Sequence, residues 1–186
     1  MKEEDASLPS ISKSRLEFLV DGVFAIALTI LVLELKVPEL EHRRSISELG
    51  RALALESSTF LSYLISFVVL GIFWYRHDQQ YRHFQLITRG MLALHLLQLV
   101  AAASFPFFAA LLGRYPTNEL SVVMYLACML VYSWTSYATW IFAKRSGSMS
   151  ADLTTAAYLR FRERGFRACL AVSGLFLVFL IAALAS

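Results

Sequence analysis

Charge is what this sequence has least of. Only 17% of its 186 residues are Asp, Glu, Lys or Arg, while 58% are apolar; soluble domains run near 25% and 45 to 50%. That balance excludes water as the solvent of most of the chain. Cysteine is scarce too. Cys128 and Cys169 both lie inside apolar runs, which favours a small hydrophobic packing role over a disulfide or a metal site. Catalytic signatures are missing: there is no Gly-x-Ser-x-Gly, no His-Glu-x-x-His, no Gly-rich phosphate loop and no dense carboxylate cluster. The chain is therefore read as a non-enzyme with no catalytic residues. His77 and His83 stand six residues apart, a poor spacing for two ligands on one helix, so no metal and no cofactor are expected. Nucleic acid is not expected as a partner either.

What is present is long apolar sequence. Residues 57–75, 90–113, 120–143 and 168–186 each pass without Asp, Glu, Lys or Arg, and about 20 such residues cross a bilayer core. A fifth run, 18–37, is as long but carries Asp21, Glu34 and Lys36. Lys13 and Arg15 precede it in the manner of a secretory signal, yet no small-residue cleavage site follows and acids sit at both ends, so it reads as a retained helix. The expected fold class is an all-α integral membrane protein with five visible spans. Residues 1–14 form a polar tail and 15–186 a transmembrane helical domain.

The connectors add detail. Pro38 closes the first helix, and Ser45 with Glu48 has the form of a capping box opening a short surface helix over 51–55. A basic connector covers 76–89, and a tight turn with Pro116 and Asn118 covers 114–119. The connector 144–167 holds Arg160, Arg162, Arg164 and Arg167 and is expected to extend the fifth helix out of the bilayer. Lys and Arg number 3, 3 and 6 on the side of the N-terminus against 4 and 1 on the other. By the positive-inside rule this predicts a multi-pass protein of the cell membrane with a cytoplasmic N-terminus.

The first helix is the most informative segment, because an ionisable group inside a span is costly unless it faces protein or water. Asp21 should not face lipid. It either pairs with a neighbouring helix or serves an ion path, and the sequence leaves both open. Ile26, Ile30 and Leu33 fall at i, i+4 and i+7 with Thr29 beside them, so they share one face. Copies of that face around an axis would make stacked apolar rings of the kind that gate pores by dewetting; the ordinary alternative is packing or lipid contact. Gly22, Ala25 and Ala27 permit close helix approach in either case. Trp74, Tyr75, Arg76 and His77 read as an interfacial anchor ending the second helix, with His77 alternatively an internal partner for Asp21. His95 and Gln98 are placed to hydrogen-bond a neighbouring helix.

The first helix resembles the signature helix of the transmembrane protein 175 family, potassium-permeable channels of animal endosomes and lysosomes with single-repeat bacterial relatives. The resemblance rests on Asp21-Gly-Val-Phe-Ala-Ile-Ala-Leu-Thr-Ile-Leu-Val-Leu-Glu34. It extends to Ser66-Phe-Val-Val-Leu-Gly-Ile-Phe-Trp74 with His77 beyond, and to Pro106 followed by Ala110-Leu-Leu-Gly-Arg-Tyr115. It implies a potassium channel subunit of a homotetramer, with six transmembrane helices per subunit, five of them visible here and the sixth peripheral. The first helix would line the pore, Ile26, Ile30 and Leu33 would form its hydrophobic constriction, and Thr29 would supply a polar layer bearing on selectivity. Potassium would be the permeant ion, with no cofactor. The family's Arg-x-x-x-Phe-Ser-Asp motif falls on Arg15, Leu19, Val20 and Asp21, so its Arg and Asp are kept while its Phe and Ser are replaced. Arg15, Asp21, Gly22, Trp74 and His77 are the motif and network residues implied. The potassium-channel carbonyl filter Thr-Val-Gly-Tyr-Gly is absent, so side chains would select the ion. Two rival readings remain: a secondary transporter that binds a coupling cation at Asp21, or a membrane protein with a structural role and no transport.

Overall fold

The computed structural model describes residues 12–42 and 44–185, and within them the chain is helical. Six helices follow in order: α1 Lys13–Ile30, α2 Ile46–Leu55, α3 Ser57–Tyr81, α4 Arg89–Arg114, α5 Glu119–Arg145 and α6 Thr155–Ala185. A 3-10 turn, Leu31–Glu34, prolongs α1. All but α2 are long and apolar enough to cross a membrane. Helices are what such a sequence must form, because lipid offers no partner to an unpaired backbone amide or carbonyl. The polar tail expected over 1–14 lies largely outside the described residues, and α1 begins at Lys13.

The ends of the helices follow local chemistry. Thr88 caps α4 by accepting from the Met91 amide, and Asn118 caps α5 by accepting from the Leu120 amide. Ser45 accepts from the Glu48 amide as the capping-box reading requires. The Glu48 carboxylate, however, takes the amides of Glu41 and His42 at 2.7 and 3.1 Å, tying down the loop before the helix. α2 starts at Ile46, five residues ahead of the expected stretch.

A second expected boundary is corrected. α3 does not stop at the Trp74-to-His77 segment but runs to Tyr81, so half of the expected basic connector is helix. The apolar run ends there, yet backbone pairing continues because His77 and Tyr81 still face the protein interior. The expected extension of the fifth span is present: α6 begins at Thr155, so its charged first turns project about 20 Å before the charge-free stretch starts.

The interior has two parts. In the middle of the bundle Val20, Phe24, Ala27 and Leu31 of the first helix and its 3-10 turn pack against Leu70 and Phe73 of α3, Phe105 of α4 and Tyr132 of α5. Tyr132 stacks on Phe73 at 4.1 Å between centroids and donates its hydroxyl to the Phe73 carbonyl at 2.9 Å. Near the N-terminal end of α1 a second, more aromatic cluster joins Leu16, Tyr81, Phe84, Met91, Trp140 and Tyr158. Polar groups fasten helices across the interior: Ser62 donates to Ala109 O at 2.7 Å, and Gln98 reaches Thr139 of α5 at 3.2 Å while accepting from or pairing with His95 at 3.2 Å. Gly113 brings α4 against α3, since a Cβ there would stand 3.0 Å from Thr59 Cα. The α3–α4 and α5–α6 connectors meet at an isolated bridge between Phe84 and Met149, with Gln85 N donating to Ser148 O and Ser150 N to His83 O, both at 2.8 Å.

Candidate functional site

α1 has one buried stripe and one open face. Leu16, Val20, Phe24, Ala27 and Leu31 point into the subunit. About a third of a turn round the helix from them Arg15, Leu19, Gly22, Ile26, Ile30 and Leu33 follow steps of three and four residues and are exposed. Ile26 is 60%, Ile30 40% and Leu33 71% exposed, so the face foreseen from spacing lies clear of the chain's own core. Leu33 stands on the 3-10 turn, where side chains at i and i+3 eclipse, and this sets it directly above Ile30. Ala27, grouped in the sequence reading with the residues allowing helix approach, is buried against the subunit's own helices; Gly22 and Ala25 are on the open side.

Thr29 is exposed beside the aliphatic residues. Its hydroxyl turns back on α1, 3.0 Å from Ala25 O and 2.9 Å from Ile26 O. With its proton committed to the backbone, the oxygen has lone pairs left to offer and no donor. That suits a cation and not an anion.

Asp21 sits at the edge of this face towards α3. Its Oδ1 accepts the Trp74 indole N–H at 2.9 Å, which joins α1 to α3. Of the two partners foreseen for Asp21, Trp74 is the one in place. His77, one turn further on, is buried and belongs to another group: it stacks on Tyr81 at 4.3 Å and meets His95 edge-on at 5.2 Å. His77 is therefore no interfacial anchor. Among the described residues the Arg15 side chain makes no hydrogen bond or ion pair, so within one chain it ties no other element to the first helix.

The ring cluster of His77, Tyr81 and His95 escaped the sequence reading. The signal was available, since His77 and Tyr81 are four apart and must share a helix face, but it was masked by ending α3 too early. Nε2 of both histidines and the Tyr81 hydroxyl are buried without a partner among the described residues. No group of three or more His, Cys, Asp or Glu converges among the described residues.

Comparison with known proteins places this arrangement. The model of a family described as the endosomal/lysosomal potassium channel TMEM175 matches residues 15–106, which take in nearly all of α1, the whole of α2 and α3 and the first part of α4. A potassium channel of Chamaesiphon minutus is 33% identical over 160 residues, covering 77% of this chain and 76% of that protein. A potassium channel of Streptomyces collinus is 31% identical over 139 residues, 73% of this chain, and the chain spans 66% of that relative's length. The fold is shared with the crystal structure of the lysosomal potassium-selective channel TMEM175 homolog from Chamaesiphon minutus, at a TM-score of 0.65 and 24% identity over 93% of this chain and 97% of that one. A five-span helical chain whose first helix turns an aliphatic face away from its own core thus belongs to the TMEM175 family of ion channels, not to a family of enzymes.

Proposed function

We propose that the protein is a potassium-permeable cation channel subunit which assembles as a homotetramer with α1 around a central pore. Ile26, Ile30 and Leu33 form the hydrophobic constriction, Thr29 contributes an oxygen ring at the same level, and the Asp21–Trp74 bond holds α1 in place against α3. The positive-inside distribution supports an N-terminus in the cytoplasm and a place in the cell membrane.

One observation carries this reading: the open face of α1 is poorly suited to lipid. It runs from a cationic Arg15 past Gly22 to Thr29, with Asp21 on its flank, and charged groups within a span belong against protein or water. Gly22 and Ala25 leave room for a second helix to approach. The exposed aliphatic residues beyond them have the register needed for rings that exclude water until wetted. The names of the bacterial relatives support potassium as the ion.

The test is passive potassium and sodium flux through the purified protein in liposomes. Wild type is expected to pass potassium in preference to sodium without a coupling gradient, and Ile26→Asn, by hydrating the constriction, to raise the flux. Absence of flux in both proteins, shown to be folded and oligomeric, would overturn the channel reading. Transport that needs a second ion and is lost in Asp21→Asn would point to the transporter instead.

A further inference from the structure

A cavity of about 410 Å³ lies between α3, α5 and α6, away from the open face of α1. Its polar lining includes Arg76, Gln79 and Gln80 of α3 and Arg164 of α6, and its walls include the rings of Tyr137 and Phe161. A shallower depression, lined by Arg160, Phe161 and Arg164, adjoins it. Arg76 directly follows the charge-free run 57–75, and Arg164 stands four residues before the run 168–186. Both therefore sit where hydrocarbon gives way to headgroups.

These cations are not neutralised from within. Among the described residues the side chains of Arg76, Arg160 and Arg164 make no hydrogen bond or ion pair, while Asp78 is engaged by Arg82 at 3.0 Å and Glu163 by Arg167. Arg76 is half-buried, a costly position for a bare guanidinium. Gly165 of α6 lies beside it: a Cβ there would stand 3.8 Å from Arg76 Nη2 and 3.4 Å from the Tyr137 ring, both ordinary contact distances. The guanidinium thus reaches across to the backbone of α6.

We propose that this cavity binds the phosphate group of an anionic glycerophospholipid. The donors available are two or three guanidinium groups, whose planar forks match phosphate oxygens in bidentate fashion. The aromatic walls give the glycerol and first methylenes an apolar surface. Basic pockets between membrane helices at the cytoplasmic boundary suit such headgroups. Which leaflet supplies the lipid follows from the orientation proposed above; the binding chemistry does not depend on it, nor on ion conduction.

The experiment is native mass spectrometry of the full chain in detergent, titrated with dioctanoyl phosphatidylglycerol, dioctanoyl phosphatidylcholine and inorganic phosphate. Phosphatidylglycerol is expected to bind at least tenfold more tightly than phosphatidylcholine. Arg164→Gln should weaken it at least fivefold, Arg76→Gln/Arg164→Gln more, and Arg51→Gln in α2 not at all. Arg164 is exposed and unpaired, so its single variant decides the matter even if the double variant does not assemble. Unchanged phosphatidylglycerol binding in Arg164→Gln, or equal binding of the two lipids, overturns the proposal. Displacement of phosphatidylglycerol by millimolar inorganic phosphate would assign the site to a soluble phosphate and overturn the lipid as its source. Since no flux is measured, failure here leaves the channel reading untouched.

Discussion

A carboxylate at the flank of a membrane helix needs a donor, and at Asp21 the donor is one indole N–H. Trp74→Phe keeps the ring and removes only that hydrogen bond. Both groups are exposed, so the expected loss is that of an ordinary hydrogen bond, about 1 kcal/mol. In a chain of this size that is a fall of roughly 2 to 4 °C in the unfolding midpoint, readable by thermal unfolding in detergent. Asp21→Asn, which retains an acceptor, should cost less. An equal midpoint for Trp74→Phe and wild type would mean that the bond does not hold α1 to α3. The same comparison separates Trp74 from His77, whose ring lies within the protein and gives Asp21 nothing.

Between elements, close approach is set by two glycines that meet different obstacles. At Gly113 the obstacle is backbone, Thr59 Cα at 3.0 Å; at Gly90 it is the Phe142 ring, nearer at 2.5 Å but at the far end of a side chain that is 40% exposed. Gly113→Ala is therefore expected to be the more damaging, by about 1 to 3 kcal/mol, and Gly90→Ala the milder, since the ring can swing outwards. Thermal unfolding of the two variants gives the order, and the reverse order would show that α3 and α4 yield more readily than Phe142. The spans themselves were legible in the sequence because a bilayer demands about 20 uncharged residues and the chain supplies them in blocks. The α1 face was legible from spacing alone, for a 3.6-residue period fixes which of Ile26, Ile30 and Leu33 share a side. What hydropathy could not show was the continuation of α3 to Tyr81. Polar residues past the apolar boundary, His77 above all, remain helical because they pack on α1, α4 and α5, and only tertiary contact reveals that. The α6 cavity was hidden for the same reason: Arg76 and Arg164 are 88 residues apart in the sequence.

At the scale of the whole molecule, equal exposure conceals unequal surroundings. Ile26 is 60% and Leu177 55% exposed in the single chain, yet one lies on the proposed pore face and the other on the sparsely packed outer part of α6. Spin labels on Ile26→Cys and Leu177→Cys in liposomes should part them. Strong oxygen contact is expected at 177, in lipid, and little at 26, enclosed by copies of α1; equally strong oxygen contact at both would place α1 in lipid and remove the pore. Cys128 and Cys169 are buried and add little background.

The bridge between the two connectors, Phe84 to Met149, has a further consequence for mechanics. It lies at the end of the bundle where the aromatic cluster of Tyr81, Phe84 and Trp140 is densest, whereas α2 at the other end buries none of its residues. Two loops that would otherwise end separate helix pairs are thereby stitched into one cap over the end of the bundle from which α1 starts.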